Sequence, residues 1–201
     1  MVPFIRSMIL VALLLIPGLA GSADLYFGAS FGRTNNEFLP TFNPAASESI
    51  DDQDNAYKIT FGWGLTPNLA VEADYGDLNS LVKATSPGQS TEITAKAIGL
   101  SFVGKASVHP TLQMFGRFGI QRWDSDLTVN GVSASGSGTD TLIGLGIIYK
   151  PQNFPLDFRL EWTQYQNVGQ GVTTPSTRLT GQNVDVIWFG IAYHLNLTPG
   201  P

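Results

Sequence analysis

Seven ionisable residues sit at alternate positions within otherwise apolar stretches: Lys58, Glu72, Asp74, Arg117, Asp157, Arg159 and Glu161. Alternation puts side chains of one parity on one face of a β-strand. Gathered in a closed interior, these cations and carboxylates would have to pair, because an uncompensated buried charge costs several kcal/mol. The chemistry they suggest is mutual neutralisation. Turnover is harder to build. The only histidines are His109 and His194, and neither belongs to a His-x-Ser pair that could activate a hydroxyl. No catalytic residue is assigned, and the chain is read as not an enzyme. Cysteine is absent, which excludes disulfides and thiolate metal sites. Glu48, Asp51, Asp52 and Asp54 lack fixed ligand spacing and read as a solvated acidic loop. The Gly144-x-Gly146 run opens no helix and is not a dinucleotide site. No metal or cofactor is expected.

The elements that must carry those charges are strands. Tyr57, Ile59, Phe61, Trp63 and Leu65 form an apolar face opposite Lys58, Thr60, Gly62 and Gly64. Leu69, Val71, Ala73 and Tyr75 oppose Glu72, Asp74 and Gly76, and Leu156, Phe158, Leu160 and Trp162 oppose Asp157, Arg159 and Glu161. The same period of two appears near Leu25–Phe31, Ile98–Phe102, Leu112–Ile120, Ile143–Tyr149 and Ile187–Leu195, which makes eight strands. Large apolar residues occupy one face throughout, with glycines and ions on the other. A soluble barrel would point its apolar face inward; here the polar set suits a narrow lumen and the apolar set suits lipid.

Composition agrees. Charged residues make up 13% of the 201, against roughly 25% in a typical soluble domain, and glycine and proline number 22 and 12. The net charge of −5 argues against a nucleic-acid partner. Connections alternate in length: short turns near positions 66–68, 105–110 and 151–155, and long polar loops at about 34–55, 77–91, 124–139 and 167–183. Short turns on one side and long loops on the other are the layout of outer-membrane barrels. By parity Lys96, Arg122 and Asp185 fall on the lipid side near the loop ends, and Lys96 is the one that a bulge would turn into the lumen. The strand aromatics Tyr57, Trp63, Tyr75, Tyr149, Trp162 and Tyr193 are expected to form interfacial girdles.

Residues 1–23 have the form of a cleavable signal peptide: Arg6, an apolar run from Met8 to Ile16, then Pro17-Gly18 and small residues up to Ala23, with cleavage after Ala23 or Ala20. Losing Arg6 lowers the basic residues from 11 to 10, against 16 acidic ones. The expected organisation is therefore a signal peptide (1–23), a barrel domain (24–196) and a short tail (197–201).

The chain resembles the OmpA-like transmembrane barrel family. The resemblance is carried by Asp24-Leu25-Tyr26-Phe27-Gly28-x-x-x-Gly32, Asn68-Leu69-Ala70-Val71-Glu72-x-x-Tyr75 and Gly116-Arg117-x-Gly119 followed by Arg122-Trp123-Asp124. It continues through Gly138-Thr139-Asp140, Gly144-x-Gly146, Tyr149 and Arg159-x-Glu161-Trp162, and closes on Val184-Asp185-Val186 with Gly190 and Tyr193. It implies an all-β, eight-stranded, antiparallel up-and-down transmembrane barrel in the bacterial outer membrane. It also implies a salt-bridged plug, onto which Glu72, Arg117 and Arg159 map, that acts as a gate in relatives; here charge satisfaction without transport is the favoured reading. Two departures stand out: Leu195 occupies the place of the usual terminal aromatic, and no peptidoglycan-binding sequence follows, so no wall-tethering role is carried over. The expected partners are outer-membrane lipids, lipopolysaccharide and the assembly machinery, with a host or surface ligand of unspecified chemistry at the loops. A structural or surface-interaction role ranks first, a narrow gated pore second and a lipid-modifying enzyme third.

Overall fold

In the computed structural model, residues 24–35, 49–51, 54–86, 89–152, 154–175 and 179–196 are described. The signal-peptide and tail assignments lie outside them. Among the described residues nine strands occur in chain order: β1 (Asp24–Asn35), β2 (Ser49–Asp51), β3 (Asn55–Thr66), β4 (Leu69–Ser86), β5 (Gln89–His109), β6 (Leu112–Val129), β7 (Val132–Tyr149), β8 (Leu156–Val168) and β9 (Gln182–Asn196). Eight of them close an antiparallel ring in the order β1-β3-β4-β5-β6-β7-β8-β9, with β9 returning to β1. The short β2 lies outside the ring, against β4 at Lys83–Thr85.

Closure requires tilt, because a ring of strands must stagger its register to fill its interior. Hydrogen-bonded partners traced around the ring climb steadily. From Leu69 beside the first short turn, the row runs through Gly104, Gly116, Leu145, Trp162, Ile187 and Arg33 to Asn55, at the opposite end of β3.

The strands are longer than the sequence suggests. Positions 77–91 and 124–139, expected to be loops, continue β4 into β5 and β6 into β7 almost to their tips. The β6–β7 tip is the two-residue turn Asn130-Gly131, with φ of 50° and 78°. Positive φ at both central residues is a type I′ turn, whose twist matches that of the flanking strands. β8 and β9 end sooner, so β4–β7 stand above the rest of the wall as a four-stranded sheet.

Polarity inverts along these strands. In the lower part the outward side chains are apolar and exposed, as at Ile98, Leu100 and Phe102 of β5 or Met114, Phe118 and Ile120 of β6. Above Asp77, Lys96 and Arg122 the apolar residues turn inward. Leu78, Leu81, Val82, Ile93, Ala95, Trp123 and Leu127 form one buried cluster with Tyr165, Val184 and Trp188. Val172 and Leu179, from the chain between β8 and β9, join it and roof the opening. That chain is pinned by a Leu179 N–H to Val172 carbonyl bond of 2.8 Å and a Gly171 N–H to Leu179 carbonyl bond of 3.1 Å. A smaller cluster, Tyr26, Ala70, Val103, Phe115, Ile148 and Ala192, fills the short-turn end. The narrow polar lumen expected from parity is a charged layer between two apolar ones. The outward Ser, Thr and Asp of the upper strands dominate their composition and imitate loops, which hid the inward apolar set.

Candidate functional site

Between the two apolar clusters lies a layer of buried charge. β3 supplies Lys58, β4 supplies Glu72 and Asp74, β6 supplies Arg117, and β8 supplies Arg159 and Glu161. All six side chains point inward and are buried. Three cations face three carboxylates, so the layer is neutral as a unit.

Arg117 sits at its centre. It donates to Glu161 Oε1 at 2.9 Å, to Ser101 Oγ at 2.8 Å and to Asp74, and lies 3.7 Å from Glu72 Oε2. Arg159 grips Glu72 with two parallel bonds of 2.6 and 3.1 Å, the planar fork that suits guanidinium to carboxylate. Its Nε also lies 3.0 Å from Glu161 Oε2, an ion pair without hydrogen-bond alignment. Lys58 donates to Glu161 at 2.9 Å, and Thr163 Oγ1 adds a bond of 2.5 Å to the same oxygen. The layer is fused to its apolar neighbours. The Arg159 guanidinium lies 4.0 Å from the Phe115 ring centroid, and Lys58 Nζ lies 4.8 Å from that of Trp188. Such contacts set each cation over the electron-rich face of an aromatic ring.

Local sequence explains why the long side chains fit. Tyr26 of β1 crosses to donate to Glu72 at 2.6 Å, and its ring lies where a Cβ on Gly62 would sit. Glycine at 62 is thus a requirement of the layer. Higher up, Gly138 does the same for Trp123, whose Nε1 donates to Asp140 at 3.0 Å.

One expected member lies elsewhere. Asp157 does not join the central network: at the short-turn end it accepts from His194 Nε2 at 2.8 Å and lies 3.4 Å from Lys150 Nζ. The strand tilt carries position 157 of β8 two residues below Arg159, out of reach of Arg117. His194 Nδ1 meets Asp24 Oδ1 at 2.7 Å, so the ring ties β9 to β1 and β8 at the seam. Both ring nitrogens are thus taken up by carboxylates.

Sequence reasoning missed Tyr26, Ser101, Thr163 and the Asp24–His194 contact as site members. Parity already places Tyr26 inward, and a phenol among glycines was the available signal. Lys105 was read as a turn residue, yet it lies within β5 with its Nζ 4.7 Å from the Tyr26 ring centroid.

The outward charges behave as parity requires. Lys96 stays outside and pairs at 3.8 Å with its register neighbour Asp77, so no bulge turns it inward. The irregularity lies instead on β4, between Asp77 and Asn79. Arg122 donates to Ser137 at 3.2 Å, and Asp185 accepts from Gln164 at 3.1 Å. Of the six expected girdle aromatics, Tyr57, Tyr75, Tyr149 and Tyr193 are exposed on the outer face, and Trp63 and Trp162 are half-buried there. In the acidic loop, Asp54 lies 3.8 Å from Lys83, while Glu48 and Asp52 are outside the described residues.

This architecture has known counterparts. A family model described as "Outer membrane protein beta-barrel domain" matches residues 7–194. Among solved structures, Neisserial surface protein A aligns with a TM-score of 0.58 at 11% identity, covering 86% of this chain and 97% of that one. The N-terminal β-barrel domain of Pseudomonas aeruginosa OprF aligns at 0.54 and 12%, covering 87% and 99%. Ail, the attachment invasion locus protein of Yersinia pestis, aligns at 0.51 and 12%, again covering 87% and 99%. At these identities the likeness is one of fold. No curated protein sequence matches the chain.

Proposed function

The chain belongs to the outer membrane protein beta-barrel domain family, and on that premise we propose that it is a plugged barrel with a structural and surface-interaction role. Its short turns lie in the periplasm, and its raised β4–β7 sheet faces the exterior. The observation that carries this reading is the charge layer. Lys58, Arg117 and Arg159 are each held by carboxylates from another strand, with apolar clusters filling the lumen above and below. Moving ions through it would require pulling buried charges apart, at a cost of several kcal/mol for each uncompensated group. The barrel then serves as a rigid, membrane-anchored stalk for the raised sheet, and elements displayed on such scaffolds commonly carry recognition.

Enzymatic activity is not part of this reading, because both nitrogens of the inward histidine are engaged by Asp24 and Asp157. Lipopolysaccharide and outer-membrane lipids are the expected contacts of the apolar outer face.

Planar-bilayer recording of the purified protein tests the closed lumen. The expectation is a baseline without steps for the wild type. Discrete steps that vanish or change in Arg159→Ala would replace this reading with the gated pore. In parallel, cells carrying versions with the β4–β5 and β6–β7 hairpins shortened at their tips should keep the folded barrel and lose adhesion or serum survival.

A further inference from the structure

A barrel closes by joining its first strand to its last, and here that joint is β1 against β9. The two pair from Asp24 with Asn196 up to Asn35 with Asp185. On its other side β9 runs out of partners sooner. β8 begins at Leu156, which pairs with Tyr193, so His194, Leu195 and Asn196 extend past the β8 ladder. Over these residues β9 is paired on one side only. A strand end held that way is prone to fraying unless side chains replace the missing ladder.

His194 makes that replacement. Its Nδ1 lies 2.7 Å from Asp24 Oδ1 of β1, and its Nε2 lies 2.8 Å from Asp157 Oδ2 of β8. Its ring also packs on Tyr26, its register partner on β1, with centroids 5.2 Å apart. The double contact carries a chemical condition. A neutral imidazole has one N–H, and its other nitrogen presents a lone pair. That lone pair would face a carboxylate oxygen at hydrogen-bonding distance, which is repulsive. Only the imidazolium donates to both carboxylates.

The surrounding charges fit that state. Lys150, just past β7, lies 3.4 Å from Asp157, and Lys105 of β5 sits over the Tyr26 ring. Tyr26 itself is committed to Glu72, and Glu72 to Arg159. β3 brings only the uncharged Gly64 beside Asp24. The two carboxylates, Asp24 and Asp157, are thus matched by Lys150 and the protonated ring. Asp24 depends on the ring most, since His194 is its one hydrogen-bonding partner among the described residues. Water reaches the cluster, because the Asp24 and Lys150 side chains are 40% and 32% exposed.

We propose that His194 is a pH-responsive staple of the closing seam. As the imidazolium it fastens the end of β9 to β1 and β8; on giving one ring proton to water it releases residues 194–196. The fastened end holds a proton that the released end gives up. It is therefore favoured at low pH and weakens as pH rises through the titration of the ring. Protonating Asp24 or Asp157 in stronger acid removes the acceptors and sets the lower limit. The staple works around neutrality, where histidine is the side chain that changes charge. Naming this rim periplasmic rests on the orientation proposed above; the staple itself does not.

The test uses the full barrel folded in nanodiscs, with a spin label on Leu195→Cys. Between about pH 6 and about pH 9 the label is expected to pass from immobile to mobile in one transition. His194→Gln has no ring proton to lose and should show no transition. Asp24→Asn should lower the transition by about one pH unit and Lys150→Met should raise it, because each changes the charge around the ring. His109→Gln, in an exposed turn, should leave it where it is. The heat-dependent gel shift checks that each variant folds. No transition in the wild type, or one that persists in His194→Gln, overturns the proposal. Should His194→Gln fail to fold, the opposite shifts of Asp24→Asn and Lys150→Met decide, and unshifted transitions overturn it. Every result leaves the closed lumen standing, because conductance tests that separately.

Discussion

The lower and upper halves of β4, β5 and β6 follow opposite rules within single continuous strands. Below Asp77, Lys96 and Arg122 the outward residues are apolar, and the inward ones are charged, polar or small down to the apolar cluster around Val103 and Phe115 at the short-turn end. Above those three residues the outward ones are polar and the inward ones apolar. Side-chain parity never slips on β6, where Phe118 and Ile120 point out and Trp123 and Leu127 point in. What changes is the solvent. In the outer membrane the lower wall meets hydrocarbon, so its polar groups are safest inside; the upper wall meets water, and the ordinary hydrophobic arrangement returns. The three residues at the crossover mark the boundary on their strands.

The largest effect is expected at the centre of the charge layer. Arg117→Ala strands Asp74 without its cation and takes from Glu161 one of three. It should cost about 3–5 kcal/mol in urea unfolding of the lipid-reconstituted barrel, as loss of one partner from a buried pair does. Arg122→Ala, on the outer face of the same strand, should cost about 0.5 kcal/mol or less.

Trp123→Ala should be comparably costly, about 3–5 kcal/mol for a large buried side chain, but local. Hydrogen exchange would quicken in the upper parts of β6 and β7 and stay slow around Phe118 and Leu145. Uniform acceleration would show that the two halves unfold as one unit.

A pair of lysine insertions on β5 sharpens the boundary. Leu100→Lys places a cation in the apolar band and should destabilise by about 2–4 kcal/mol, whereas Thr94→Lys, two outward positions above Ile98, should change stability by about 0.5 kcal/mol or less. Equal costs would move the boundary. The smallest effect belongs to Lys96→Met. Its pairing with Asp77 spans 3.8 Å between side chains 59% and 39% exposed, and such pairs contribute about 0–1 kcal/mol.

Much of the lower half was legible because Phe, Ile, Leu and Tyr recur there at every second position, a spacing that fits a one-sided strand and no helix. The inward placing of Lys58, Glu72, Arg117, Arg159 and Glu161 followed from parity alone. Their pairing did not, since register across the ring depends on tilt, and tilt is what separates Asp157 from its expected partners. The upper half was read as loop because Ser133, Ser135, Ser137 and Thr139 alternate with Ala134, Gly136 and Gly138, a pattern without hydrophobic contrast. Its strand character comes from pairing with β6 and from the Asn130-Gly131 turn, a local signal that composition masked.

The inversion itself is open to a direct measurement. The chain has no cysteine, so single cysteines can be placed at positions 90–104 of β5 and spin-labelled in lipid bilayers. Labels at 98, 100 and 102 should be relaxed by oxygen dissolved in the hydrocarbon, labels at 92 and 94 by a water-soluble reagent, and labels at 93, 95 and 97 by neither. Mobile, water-relaxed labels at 93 and 95 would contradict the account, because the upper wall would then be a loop rather than a sheet with an apolar inner face.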